Sequence, residues 1–339
     1  MALLAFNGCE TLEPKSGWTH SAGITVTAAG RTANGLVLNG TPITIDYGVP
    51  VSSSRMIIGF GIKLATNSNI AAQWLRIFTS SNNEYTINAD SGGSTIVFRT
   101  GGAANSITAS SSGSIGFGEW HYIEVDFQTG AGGHCRIWLD DVQVLNHSAT
   151  LGSGNITALS HRCSSNNHSF AIDDIYVLDT SDGTATQGRT NNARLGPIKI
   201  ESIYPNGNGA TNDFVGSDGN STDNYLLVDE VGTPNTADYV ESTTVGHRDL
   251  YEHGNLTSVG ITNIFGVEVV GYASDPSGSA TPLKSVARDN DGGTISTGAG
   301  SPTVTTFREV GGGPLWLDPD GVVWAEAVVN GSQFGVEVG

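Results

Sequence analysis

Positive charge is scarce in this chain, and so are cysteine, strong helix formers and long apolar runs. Its 339 residues hold 15 Lys plus Arg against 33 Asp plus Glu, a formal net charge of −18. That balance argues against direct contact with nucleic acid or an anionic membrane. The deficit is steeper late in the chain, with 9 basic and 14 acidic residues over 1–190 against 6 and 19 over 191–339. Cys9, Cys135 and Cys163 are odd in number, widely spaced and without a CxxC, which gives neither a disulfide framework nor a zinc site. Buried free thiols are expected, and a Cys135–Cys163 bridge stays open. No run approaches the ~18 apolar residues of a membrane span, so membrane insertion is not expected. The start, Met1 to Phe6, is too short for a signal peptide and lacks a basic region, so synthesis in a cytoplasm without Sec export is expected.

What the chain does contain is 46 Gly, with abundant Ser, Thr and Asn, while charged residues make up 14% against an ordinary ~25%. This mixture disfavours long helices and suits short strands joined by tight turns. Residues 56–64, 73–79 and 94–99 are apolar or alternating runs, separated by Asn/Ser/Gly clusters. In Trp120–Phe127, Tyr122, Glu124 and Asp126 fall on one face and His121, Ile123, Val125 and Phe127 on the other. A Gly-rich turn and residues 135–144 complete a hairpin, and 170–178 is a further strand. Residues 180–196 have almost no apolar content, and the strand pattern restarts at Pro197. Asp318-Pro-Asp-Gly321 reads as a turn, and one or two helical turns are expected around Trp324–Val329. The expected fold is all-β, with two β-sandwich, jelly-roll-like domains at 1–180 and 197–339 joined by a linker at 181–196.

Catalytic signatures are missing. Glu124-Val-Asp126 has the beginning of the Glu-x-Asp strand of retaining jelly-roll glucanases, but Gln128 and Thr129 stand where the second Glu belongs. The pair reads as solvent-facing acids on a half-buried strand, and no enzyme activity is expected. Asp140-Asp141 and Asp173-Asp174 are neighbours on strands, so each pair is expected to split across two faces; one member of a pair at a loop edge could hold a structural calcium ion. Asp213, Asp218, Asn220, Asp223 and Asp229 form an oxygen-rich run without the EF-hand frame. His161 and His168 flank Cys163 without metal-ligand spacing, and no cofactor is implied. No Gly-x-Ser-x-Gly elbow or phosphate loop occurs. An exposed indole can stack on a sugar ring, and Trp18 and Trp316, beside Gly and Pro, are the candidate glycan contacts.

Trp120-His-x-Ile-Glu-Val, Arg136-Ile-Trp-Leu-Asp-Asp and Ala171-Ile-Asp-Asp-Ile-Tyr-Val resemble the strands of concanavalin A-like lectin/laminin-G sandwiches. The whole chain is similar to a group of tailed-bacteriophage virion proteins. The similarity rests on Phe6-Asn-Gly-Cys-Glu10 near the start, Tyr204-Pro-Asn-Gly207 after the Ile-Asp-Asp strand, and Trp324 followed by Phe334-Gly-Val336. It implies a structural component of the virion exterior: a capsid decoration, tail, neck or fibre protein. Such a protein is made in the host cytoplasm and assembles with other virion proteins as a homo-oligomer, a trimer being favoured. The alternative is a glycan-binding module for attachment to the host surface.

Overall fold

The computed structural model describes residues 3–7, 9, 18–20, 24–27, 30–31, 35–65, 72–90, 95–101, 107–180, 185–186, 189–190, 193–231, 234–289, 293–298, 300–311 and 314–339. The chain forms two compact units. Unit one comprises Met1–Leu12 with Gly17–Ile200, and unit two includes Glu201–Gly339. The fold is almost entirely β, as expected, and no helix among the described residues is long and apolar enough to cross a membrane.

Unit one is built from β1 (Leu3–Asn7), β2 (Trp18–His20), β3 (Ile24–Thr27), β4 (Gly35–Ser53), β5 (Arg55–Leu64), β6 (Ala72–Thr79), β7 (Glu84–Ala89), β8 (Thr95–Thr100), β9 (Ile107–Ser114), β10 (Trp120–Gln128), β11 (His134–Leu139), β12 (Val142–Ser148) and β13 (Ile156–Leu178). Its strand order is β12-β11-β10-β5-β13-β6-β7-β8-β9. The long strand β13 passes from one sheet to the other: residues 170–178 pair with β5, residues 156–163 with β6. We call the β12–β5 side the front sheet and the β6–β9 side the back sheet. Alternation along each strand directs one set of side chains between them. Phe127 from the front sheet meets Tyr85 from the back at 4.7 Å between ring centroids. Trp74, Ile77, Ile87, Phe98, Ile123 and Val125 belong to the same buried cluster.

His161 lies in that core, not at a metal site. Its Nδ1–H donates to the Trp74 carbonyl, which leaves Nε2 to accept from the Tyr47 hydroxyl at 2.9 Å. Burial lowers its pKa to about 4, so the ring is neutral. The side chain of His168 lies outside the described residues. Cys9, Cys135 and Cys163 are buried thiols, and no Cys135–Cys163 bridge forms.

The short strands β14 (Ala185–Thr186) and β15 (Arg189–Thr190) pair with each other. Unit two contains β16 (Pro205–Asn212), β17 (Val215–Gly216), β18 (Val240–Glu241), β19 (Arg248–His253), β20 (Val270–Ala273), β21 (Pro282–Arg288), β22 (Ile295–Thr297), β23 (Ser301–Pro302), β24 (Arg308–Gly311) and β25 (Gln333–Val338). Its main sheet runs β16-β19-β25-β21-β22. A six-residue helix, α1 (Glu326–Gly331), sits where helical turns are expected, and its Val329 packs in a small core with Leu315, Trp324 and Phe334. Asp318-Pro-Asp-Gly321 is the expected turn, closed by Gly321 N–H to the Asp318 carbonyl at 3.0 Å.

Candidate functional site

Glu124 and Asp126 occupy the outer face of the front sheet but are buried, at 1% and 3% exposure, not solvent-facing. Register explains where Glu124 goes. It lies across from Gly59 on β5 and Trp138 on β11, and Gly59 in turn faces Tyr176. A Cβ on Gly59 would come within 2.1 Å of the Tyr176 ring, so the missing side chain lets that ring lie over the strand. Its hydroxyl donates to Glu124 Oε1.

Residues 193–200 cover this face. Arg194 Nη1 binds Glu124 Oε2, Nη2 reaches Asp141 at 2.9 Å, and the guanidinium lies 4.4 Å over Trp138. Gly196 N–H donates to Glu124 Oε1 at 3.0 Å, and Leu195 and Ile198 pack against Ile57, Tyr122, Tyr176 and Leu178. Asp126 is held by Arg55 through two 2.8 Å bonds, with His134 Nε2 at 3.0 Å. Burial alone would raise its pKa, but His134 and Arg55 hold it down at about 2. Both acids are paired with cations, and Asp126 stays ionised near neutrality.

The two Asp pairs also differ from expectation. Asp140 and Asp141, at φ 49° and 69°, form the two-residue turn of the β11–β12 hairpin and are not strand neighbours. Asp174, at φ 49°, sits in a bulge where the β13–β5 register slips between Asp173 and Tyr176. That kink brings both carboxylates to one residue: Asp173 Oδ2 accepts Arg31 N–H at 2.6 Å, and Asp174 Oδ2 takes Arg31 Nη1 at 2.5 Å. Asp174 Oδ1 accepts Ile200 N–H at 2.8 Å. In the acidic loop of unit two, Asp218 and Asn220 bond each other, and Asp223 accepts from Asn208. Among the described residues no group of three or more His, Cys, Asp or Glu is arranged to hold a metal.

A second set of polar side chains gathers on the back sheet. On the outer face of the back sheet, cross-strand register lines up Ser160, Arg76, Thr86 and Arg99 in one row. The adjacent row is Arg162, Gln73 and Asn88. Gln73, Thr86, Asn88, Arg99 and Ser160 are all less than 9% exposed. Arg76 pairs with Glu84 at 2.9 Å and lies 4.6 Å over Phe78, while Arg99 Nε reaches Asn88 at 3.3 Å. Four other groups have no hydrogen-bond partner: Gln73 Oε1, Thr86 Oγ1, Ser160 Oγ and Arg162 Nε. A buried polar atom left without a partner costs roughly 1–3 kcal/mol, and four such atoms lie on these two neighbouring rows.

Of the tryptophans singled out in the sequence, Trp18 belongs to β2, paired with Tyr47 of β4, and its side chain lies outside the described residues. Trp316 is half-buried against Gly266, whose Cβ position lies 3.0 Å from the indole Cε3. Neither is on the polar rows. The rows escaped sequence reading because their members come from four strands, β6, β7, β8 and β13.

No protein-family model and no curated protein sequence matches the chain. Among solved structures, it is similar to domain 4 of AbnA, a GH43 extracellular arabinanase from Geobacillus stearothermophilus in complex with arabinotriose: 13% identity over 52% of this chain and 93% of that one, TM-score 0.41. The carbohydrate binding module CBM66 from Bacillus subtilis follows at 16% identity, 50% and 98% coverage and TM-score 0.37. The carbohydrate recognition domain of Emp47p gives 10% identity, 52% and 97% coverage and TM-score 0.39.

Proposed function

We propose that the chain is a glycan-binding protein whose ligand lies along the polar rows of the back sheet. The supporting observation is the set of buried, unpartnered polar atoms on Gln73, Thr86, Ser160 and Arg162. Sugar hydroxyls both donate and accept, so a glycan that displaces the side chains lying over these rows can satisfy a carbonyl oxygen, two hydroxyls and a guanidinium nitrogen together. The chain acts by binding, not turnover, because Glu124 and Asp126 are committed to Arg194 and Arg55.

Thr86→Val and Ser160→Ala test this by separating stability from binding. Each removes a buried hydroxyl without a partner, so each is expected to hold or raise stability by up to about 1 kcal/mol. Each is expected to lower binding on a glycan array several-fold. Variants that unfold more easily while binding glycans as before would mean that the hydroxyls serve the fold.

A second reading concerns unit two and favours the virion-exterior role. Val215, Leu226, Val231, Val245, Val259 and Val322 are exposed there, whereas the exposed large apolar residues described in unit one are Ile107, Phe117 and Val142. Exposed apolar side chains supply contacts between proteins where they lie together in one patch. A homo-oligomer, with a trimer favoured, is the expected state in light scattering, and gold-labelled antibody is expected on phage particles. A monomer at all concentrations, with unlabelled particles, would remove this reading.

A further inference from the structure

We infer that the glycan is acidic and that its carboxylate or sulfate oxygens sit on Arg162, an inference that rests on the glycan-binding reading above. Three partly buried arginines of unit one have their own anions: Arg31 has Asp174, Arg55 has Asp126, and Arg194 has Glu124. Arg162 has none within 4.0 Å among the described residues, and its Nε is buried without an acceptor. The residues across the sheet from it are Gln73 on β6 and Thr44 on β4, both uncharged. Ser160, two positions along the same face of β13, is uncharged as well. A half-buried guanidinium without a counter-charge is costly, and its planar fork matches a carboxylate or sulfate.

The neighbours define what carries the oxyanion. Gln73, Ser160 and Thr86 surround the charge with neutral groups that suit hydroxyls, and strands lie about 4.8 Å apart, close to the length of one sugar ring. An acidic sugar placed on Arg162 would leave adjacent rings over the next strands. The net charge of −18 does not oppose this, because charges beyond roughly 8 Å are screened at physiological salt while a direct pair is not.

Calorimetry on the full chain tests the inference with three probes: an oligogalacturonate, a sulfated galactan oligosaccharide and a neutral galactan oligosaccharide. Binding to one or both acidic probes is expected, with Kd raised tenfold or more in Arg162→Gln and by a smaller factor in Arg162→Lys, which keeps the charge but loses the fork. The tighter acidic probe identifies the oxyanion as carboxylate or sulfate. If Arg162→Gln fails to fold, Arg162→Lys carries the test with the same expectation of weaker binding. Equal affinity for neutral and acidic probes, unchanged in the variants, would overturn the acidic ligand and leave glycan binding standing. No binding of the wild-type chain to any glycan, on the array or here, would overturn both.

Discussion

Arg194→Ala is expected to destabilise unit one by about 3 kcal/mol, the lower end of the cost of stripping one partner from a buried ion pair. Glu124 is 1% exposed and would be left in place without its cation, with the Tyr176 hydroxyl and the Gly196 N–H as its remaining donors. The same change removes the guanidinium from Trp138 and frees Asp141. Adding Glu124→Gln is expected to recover most of the loss, because the neutral amide keeps an acceptor for Tyr176 and Gly196 and needs no cation. Urea unfolding followed by tryptophan fluorescence reads both variants. A single variant within about 0.5 kcal/mol of wild type would mean that Glu124 is hydrated and that residues 193–200 leave the face. Glu124 would then return as a candidate catalytic acid.

Gly335→Ala is expected to cost unit two roughly 4 kcal/mol or more, enough to abolish its folded state. Gly335 in β25 pairs with Leu250 in β19, and a Cβ there would lie 1.8 Å from the Asp249 carbonyl oxygen and 2.9 Å from the Leu250 Cα. These are backbone atoms of the neighbouring strand, so relief requires the ladder itself to open. Leu250 and Phe334, both buried, would lose their packing with it. Gly254→Ala is the control, since a Cβ there meets nothing within 4 Å and its cost is expected to be negligible. In hydrogen exchange by mass spectrometry, Gly335→Ala should deprotect β19, β21 and β25 and leave β6, β10 and β13 as slow as in wild type. Equal behaviour of the two alanine variants would mean that β19 and β25 do not pair in this register.

Much of unit one was legible because its strands alternate cleanly. Ile123, Val125 and Phe127 face the core as the period of two requires, and the β10–β11 hairpin follows the Gly-rich turn. What the sequence concealed depends on single backbone positions and on register. Asp140, Asp141 and Asp174 take positive φ, which Asp tolerates but does not announce, and those three angles decide which acids meet. Glu124 and Asp126 read as surface acids because nothing local reveals that Arg194 and Arg55 arrive from 70 and 71 residues away. The covering segment 193–200 includes Leu195 and Ile198, two apolar residues too sparse to form a pattern. The polar rows were present in fragments, such as Gln73 and Arg76 in one strand and Thr86 and Asn88 in the next. Only pairing places them side by side, and a one-residue slip would send each to the opposite face.

The most direct measurement is amide chemical-shift mapping of the isotopically labelled chain titrated with an oligosaccharide found to bind on the array. Glycan binding along the back sheet predicts that shifts concentrate at residues 73–76, 86–88, 97–99 and 160–162, with front-sheet residues 122–126 and 136–138 unmoved. Saturable shifts centred on the front sheet or confined to unit two, with those four segments unchanged, would contradict it.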